Sequence, residues 1–288
     1  MDEADIDRGL PGSSGDGGSD MPARYDRAAL DRSTPVTSGS QTRRGAQSTV
    51  PGLAYDGESS ALHSSALAQD LVTVVVVAPL LGVLWWWGRT ASSTARLLRV
   101  GVLMFLVYNF AIYCFSVQFG PMFLPWVFLF GASLFALVLE IVNVKWCDEQ
   151  FTSASRWVGW ALVALACVFS LLWLSEIVPD LLAGRPYSSA GDWNVLTNPV
   201  HVLDLAVFLP VVFLSGCSLS LRGRFGALSA PGMLVFLALT CAPILATPLV
   251  QTWRSEPAGW APFVPVLAVL IVCLVALRSS VRWSRHTS

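Results

Sequence analysis

Seven apolar runs, each close to the length at which a helix crosses a bilayer, constrain this chain more than any other feature of it. They run approximately from Leu71 to Trp87, Val100 to Phe119, Pro121 to Val144, Trp157 to Val178, Pro199 to Leu221, Leu228 to Val250 and Trp260 to Leu277. A helix rises about 1.5 Å per residue, so roughly 17 to 25 residues cross the hydrocarbon core. Lipid offers no partner to an open strand edge, which leaves the helix as the spanning element. The expected fold is therefore all-α, a polytopic transmembrane bundle of seven spans over residues 69–280. Composition agrees: 54% of the residues are hydrophobic and only 13% are charged, about half the charged content of an ordinary soluble domain. Pro79, Pro210, Pro243, Pro248 and Pro265 fall inside spans and are expected to bend some of them.

Residues 1–68 read differently. Gly-Ser runs, scattered Asp and Arg and few aliphatic clusters cannot offset the entropy of ordering the backbone, so this segment reads as a disordered polar tail. It lacks the basic start and short apolar core of a signal peptide. Residues 281–288 form a short basic C-terminal tail. Lysine occurs once, at Lys145, against seventeen arginines, a usage that fits a GC-rich genome and a bacterial source.

Basic residues near helix ends set direction. Arg89, Arg96 and Arg99 follow the first span, Lys145 and Arg156 the third, Arg222 and Arg224 the fifth, and Arg278, Arg282 and Arg285 the seventh. The intervening connections carry only Arg185 and Arg254. The positive-inside rule then places the C-terminus in the cytoplasm and the N-terminal tail outside, with the chain expected in the cytoplasmic membrane. Trp85, Trp86 and Trp87, with Trp146, Trp157 and Trp160, read as aromatic belts at the inner boundary.

Ionisable groups inside spans are costly, about 2.5 to 3.5 kcal/mol each on insertion scales, and by default mark function. Most of them gather between Glu176 and Asp204. Glu176 lies about 29 Å along the fourth span from Trp157, and Asp180 follows on the same helix face. The fifth span opens with Asn198-Pro199, a capping side chain followed by the residue best suited to the first helical position. His201 and Asp204 follow, three residues apart and able to face each other. In the second span Tyr113 sits in the outer half and Asn109 near mid-membrane, where it is expected to bond to another helix. The candidate ligand-binding residues are thus Glu176, Asp180, His201, Asp204, Tyr113 and Asn109, converging on the outer leaflet. Glu140 and Lys145 read as an interfacial pair. Gly131-Ala132-Ser133 and Ser215-Gly216-Cys217-Ser218 read as close helix contacts. The cysteines form no CxxC or Cys/His spacing and read as small buried hydrophobes.

The runs Tyr108-Asn109-Phe110-Ala111-Ile112-Tyr113, Glu176-Ile-Val-Pro179 and Thr197-Asn198-Pro199-Val200-His201-Val202-Leu203-Asp204-Leu205 resemble a family of uncharacterised bacterial polytopic membrane proteins. The resemblance covers roughly residues 70–278. It implies a seven-span membrane fold and no particular activity.

The formal net charge of −1 points to no nucleic-acid partner. The bilayer is the evident partner, with a small molecule or cation as ligand. No cofactor is expected: Walker loop, HExxH, GxSxG and dinucleotide fingerprints are all missing from the sequence. The leading expectation is a transporter or channel-like protein with an outward-facing polar pocket. A membrane-embedded sensor or assembly module is the alternative. An enzyme acting on lipid-linked substrates comes last, because nothing supplies a nucleophile beside His201 and Asp204.

Overall fold

The computed structural model describes residues 55, 58–88, 93–143, 156–185, 188, 191, 195 and 197–286, with side chains described as far as residue 280. Among the described residues there is no strand, and seven helices are long and apolar enough to cross a membrane: α1 (Ser60–Gly88), α2 (Ser93–Ser116), α3 (Phe123–Asn143), α4 (Arg156–Leu182), α5 (Pro199–Ser220), α6 (Arg224–Trp253) and α7 (Phe263–His286). Each corresponds to one of the seven apolar runs.

The first boundary differs from expectation. α1 begins at Ser60 rather than near Leu71, so residues 60–68, assigned above to the polar tail, are its opening turns. Ser59 caps it, its Oγ accepting from the Leu62 amide at 3.2 Å. These turns lack a continuous apolar run because the residues they bury, Leu62, Ser64, Ala66 and Ala68, are mostly small and include a serine. Residues 1–54 lie outside the described residues, as do Lys145 and Trp146.

α6 is the centre of the packing, against α1, α2, α5 and α7, while α4 pairs chiefly with α5 and α3 with α2. In the most apolar window of α2, 72% of the residues are buried, against 11% in α3 and α4, which separates an inner helix from two peripheral ones. The peripheral faces are strongly apolar: Leu124, Phe128, Phe135 and Val142 stand exposed along α3. Such a surface requires lipid rather than water against it. Trp85, Trp86, Trp157 and Trp160 are exposed near helix ends, as an interfacial belt demands.

Glycines let two helix pairs approach closely. A Cβ on Gly216 of α5 would lie 2.7 Å from the Gly159 carbonyl oxygen of α4, and one on Gly159 would lie 2.7 Å from the Gly216 carbonyl. At the α2/α6 crossing, a Cβ on Gly232 would stand 3.1 Å from the Leu97 carbonyl and 3.4 Å from the Gly101 nitrogen. Association inside lipid depends on such contacts, because the hydrophobic effect does not draw helices together there. Gly131 does not conform to the close-contact expectation: nothing lies within 4 Å of its added Cβ, because it faces away from the bundle. Its neighbour Ser133 donates to the Phe130 carbonyl of its own helix.

The interfacial pair is also revised. Glu140 at the end of α3 meets Arg99, in the early turns of α2, at 2.5 Å. The antiparallel α2–α3 hairpin brings these two ends side by side, and a long arginine reaches across. Arg96 donates to the Asn143 carbonyl at 3.3 Å in the same corner.

Two spans are not regular α-helix. Residues Thr73–Val77 of α1 and Asp204–Phe208 of α5 form π-turns, with the Ala78 amide bonded to the Thr73 carbonyl and the Leu209 amide to that of Asp204. Each is followed two residues later by a proline, Pro79 and Pro210. Proline cannot donate, and its ring presses on the carbonyl four residues back, so widening the preceding turn relieves the clash without a sharp break.

Overpacking these crossings separates the buried and open glycines. Gly216→Leu or Gly101→Leu is expected to destabilise the detergent-solubilised protein by about 1–3 kcal/mol or more. Gly131→Leu should leave the thermal midpoint within a degree or two. Equal behaviour of the three in a thermal-shift series would refute the assigned crossings.

Candidate functional site

Two i,i+3 pairs on antiparallel helices build the centre of the site. Trp173 and Glu176 share one face of α4, and His201 and Asp204 share one face of α5. Running in opposite directions, the helices match Trp173 with Asp204 and, one turn nearer the α4–α5 connection, Glu176 with His201. The Trp173 indole N–H donates to Asp204 Oδ2 at 2.8 Å. The His201 Nε2 lies 3.8 Å from Glu176 Oε2. The two rungs are tied by a tilted ring contact, the Trp173 and His201 centroids standing 4.1 Å apart with 34° between the planes.

Local sequence explains why α5 presents this face. Asn198 accepts from the Val200 amide through Oδ1 at 3.0 Å, and Pro199 takes the first helical position, as its sequence signature requires. His201 is then carried inward to 4% exposure. Asp204 opens the π-turn, and the Tyr108 side chain of α2 flanks its carboxylate. Tyr108 itself packs edge-on against Phe208 and Phe236, at centroid distances of 5.0 and 5.7 Å.

These side chains line a cavity of about 460 Å³ between α1, α2, α4, α5 and α6, with Val266 and Val269 of α7 also in its wall. It extends from Phe208, Phe236 and Asp204 to Asn198, Gly259 and Pro262, at the end of the bundle where the α4–α5 and α6–α7 connections lie. Glu176 stands near this end with its side chain 43% exposed, whereas His201 is enclosed.

Five of the six sequence candidates, Asn109, Tyr113, Glu176, His201 and Asp204, line this one cavity. Asn109 is 1% exposed and donates through Nδ2 toward the Thr73 hydroxyl of α1 at 3.5 Å, the inter-helix bond expected of it. The Tyr113 ring forms part of the wall, but its hydroxyl turns toward α1, donating to Asp70 Oδ1 at 2.8 Å with the Ala66 carbonyl 3.1 Å away. Asp180 is not in the lining. Although α4 continues through Pro179 to Leu182, the chain then reverses at Gly184, whose φ of 60° favours a residue without a side chain. The reversal brings Ser188 and Arg185 onto Asp180: the Ser188 hydroxyl and amide donate at 2.8 and 3.1 Å, and Arg185 sits at 3.1 Å. Local partners therefore take this carboxylate out of the site.

Sequence reasoning missed Trp173, Tyr108 and Asp70. Trp173 had a usable signal, standing three residues before Glu176 as Asp204 stands three after His201. Asp70 stands just ahead of the first apolar run at Leu71 and gives no sign in the sequence of belonging to a span. It lies instead in α1, where the Tyr55 hydroxyl donates to its Oδ2 at 2.6 Å and Tyr113 holds the other oxygen. Tyr55 also stacks on Trp126 of α3 at 6.1 Å, so the residue just before α1 is anchored in the bundle. Burial first, and then the Asp70 carboxylate it donates to, push the Tyr55 phenol well above its ordinary value and keep it a donor.

Two further carboxylates fasten α1 at this end. Glu58 accepts from the Gln118 amide at 2.6 Å, and Glu256, in the α6–α7 connection, accepts from Ser64 at 2.5 Å and Arg254 at 2.9 Å. Partial burial raises the Glu256 carboxyl, but the Ser64 and Arg254 donors outweigh it and hold the group below its ordinary range.

Among the described residues, no three His, Cys, Asp or Glu side chains converge as metal ligands would. No family model, curated protein or solved structure matches the chain. Fold and site define its class as a multi-pass helical membrane protein with a cavity reaching one end of the bundle.

Two measurements test these ties. Tyr113→Phe keeps the ring and removes one donor to Asp70, and is expected to lower unfolding stability by about 1–3 kcal/mol, the range for a hydrogen bond to a charged group. Because Glu256 titrates below its ordinary 4.5 in the folded state, its contribution is complete above that value and drains away as the pH falls through the lower folded one. Ser64→Ala should therefore lower the thermal midpoint at pH 7 and flatten its decline on acidification; an unchanged acid limb would remove Glu256 from the account.

Proposed function

We propose that this chain is a transporter or channel-like protein of a bacterial cytoplasmic membrane, taking a small molecule into the cavity between α1, α2, α4, α5 and α6. One observation carries the reading: the scarce polar side chains of an otherwise lipid-adapted bundle line a single cavity of about 460 Å³ instead of being scattered. That volume is in the range of small-molecule sites, which lie commonly between helices and combine apolar walls with a few placed polar groups. The distribution of arginine supports an outward-facing mouth, since Arg185 and Arg254 stand at the cavity end while Arg96, Arg99, Arg156, Arg222, Arg224 and Arg278 lie toward the other ends of their helices.

The π-turns in α1 and α5 add to this reading. Both border the cavity region, through Thr73 against Asn109 and through Asp204 itself. A widened turn before a proline has fewer ideal hydrogen bonds to break than a regular helix, so it is where a spanning helix can hinge. The described partners of His201 and Asp204 are Glu176 and Trp173, which gives an enzymatic role less support.

His201→Ala combined with Asp204→Asn tests the assignment. The double variant is expected to keep the wild-type level in the membrane and a thermal midpoint within a few degrees, and to fail to restore growth or solute flux in a strain lacking the chain. Restored flux with both side chains altered would overturn the reading. Loss of fold together with loss of flux would return the pair to a structural role.

A further inference from the structure

The cavity has an uneven chemical inventory, and it is uneven in one direction. Among the described residues lining it there is no lysine or arginine, while Asp204 and Glu176 are both carboxylates. Asp204 makes no ion pair among the described residues. It is held instead by a neutral donor, the Trp173 indole, with Tyr108 beside it. A carboxylate inside a bundle is normally matched by a positive charge, because burial without one is costly. Here the protein supplies the hydrogen bonds and omits the cation.

The neutral polar groups lean the same way. Two of the donors on the cavity wall are already engaged, the indole of Trp173 on Asp204 and the hydroxyl of Tyr113 on Asp70. Thr240 and Thr247 turn their hydroxyl hydrogens back onto the Phe236 and Pro243 carbonyls, both at 2.9 Å, leaving lone pairs as their remaining capacity. Independently of the carboxylates, the Asn109 amide oxygen is buried without a hydrogen-bond partner, on a residue only 1% exposed that lines the cavity. A buried acceptor left open in this way calls for a donor. The walls between these acceptors are aromatic and aliphatic, chiefly Phe169, Trp173, Phe208, Phe236 and Ile244.

Building on the small-molecule reading above, we infer that the cavity selects an organic ammonium: a compact donor cation on an apolar or aromatic body. The ammonium N–H groups meet Asp204 and the Asn109 oxygen, Glu176 at the mouth attracts the charge on approach, and the body rests on the aromatic wall, where ring π-systems favour a cation further. A bare divalent ion is less well served, since no three ligating side chains converge among the described residues.

The test uses three probes that share a phenyl body and differ in charge: phenethylammonium, 2-phenylethanol and 3-phenylpropionate. Binding is measured by saturation-transfer difference NMR and calorimetry on the full chain, in nanodiscs of zwitterionic phosphatidylcholine at pH 7. The expected order is ammonium tighter than alcohol by about tenfold or more, with the carboxylate weakest. Asp204→Asn keeps an acceptor oxygen for Trp173, and should cost the ammonium about tenfold and the alcohol much less. If that variant does not fold, the charge series on the unaltered chain still decides. Alcohol or carboxylate binding as tightly as the ammonium would overturn charge selection and leave the small-molecule cavity standing; binding of none of the three would overturn both.

Discussion

Hydrocarbon offers neither donor nor acceptor, and that single constraint accounts for where almost every polar side chain of this bundle has been put. Backbone groups are satisfied within helices, so what remains to be placed is a short set of side chains. Those near the ends reach for each other across helix termini, as Arg99 does for Glu140 and Ser64 for Glu256. Those within the spans cannot reach water and must find partners on neighbouring helices. Asp70 takes two tyrosine hydroxyls, Asn109 a threonine, and Asp204 an indole. Polar placement and helix packing are in this sense one arrangement, since each of these bonds also fixes which faces of two helices meet.

The same constraint explains which parts of the molecule were legible in the amino-acid sequence. Span number and order could be read because lipid demands long uninterrupted apolar runs, and the Asn198-Pro199 start could be read because capping is a local interaction. Glu176, His201 and Asp204 stood out because an ionisable side chain in an apolar run is conspicuous wherever it points. Direction is another matter. Asp180 has the same credentials as Glu176 four residues earlier, yet the reversal at Gly184 hands it to Ser188 and Arg185. Trp173 carries no charge and resembles any other aromatic residue of a spanning helix. Its role depends on α4 and α5 being antiparallel neighbours in one register. The first boundary was misplaced for a related reason, in that the opening turns of α1 bury small residues and a serine, Ser64, Ala66 and Ala68 beside Leu62, and so never raise average hydrophobicity enough to be noticed.

The paired π-turns join fold to site in a way neither explains alone. Pro79 and Pro210 each remove a backbone donor, and a regular helix would meet that with a kink. Widening the turn ahead of the proline inserts one extra residue instead, and every side chain N-terminal to it is rotated relative to those that follow. In α5 the residue at the start of the widened turn is Asp204, and in α1 it is Thr73. Both point toward α2, onto Tyr108 and Asn109, which are adjacent in sequence. Helix α2, the most buried of the spans after its first turns, thus receives a polar contact from each widened helix at nearly the same level.

That convergence bears on how the site could respond to an occupant. Asp204 is held by α4 through Trp173 and faces Tyr108 of α2, while its own backbone carbonyl closes the π-turn of α5. A cation drawn to the carboxylate would compete with the indole and pull on the one segment of α5 whose hydrogen-bonding register is already altered. The Trp173 ring also lies against His201, which stands beside Glu176 at the mouth. Helices α4 and α5 meet closely further along at the Gly159–Gly216 contact, so the widened turn, and not that crossing, is where such a pull would be taken up.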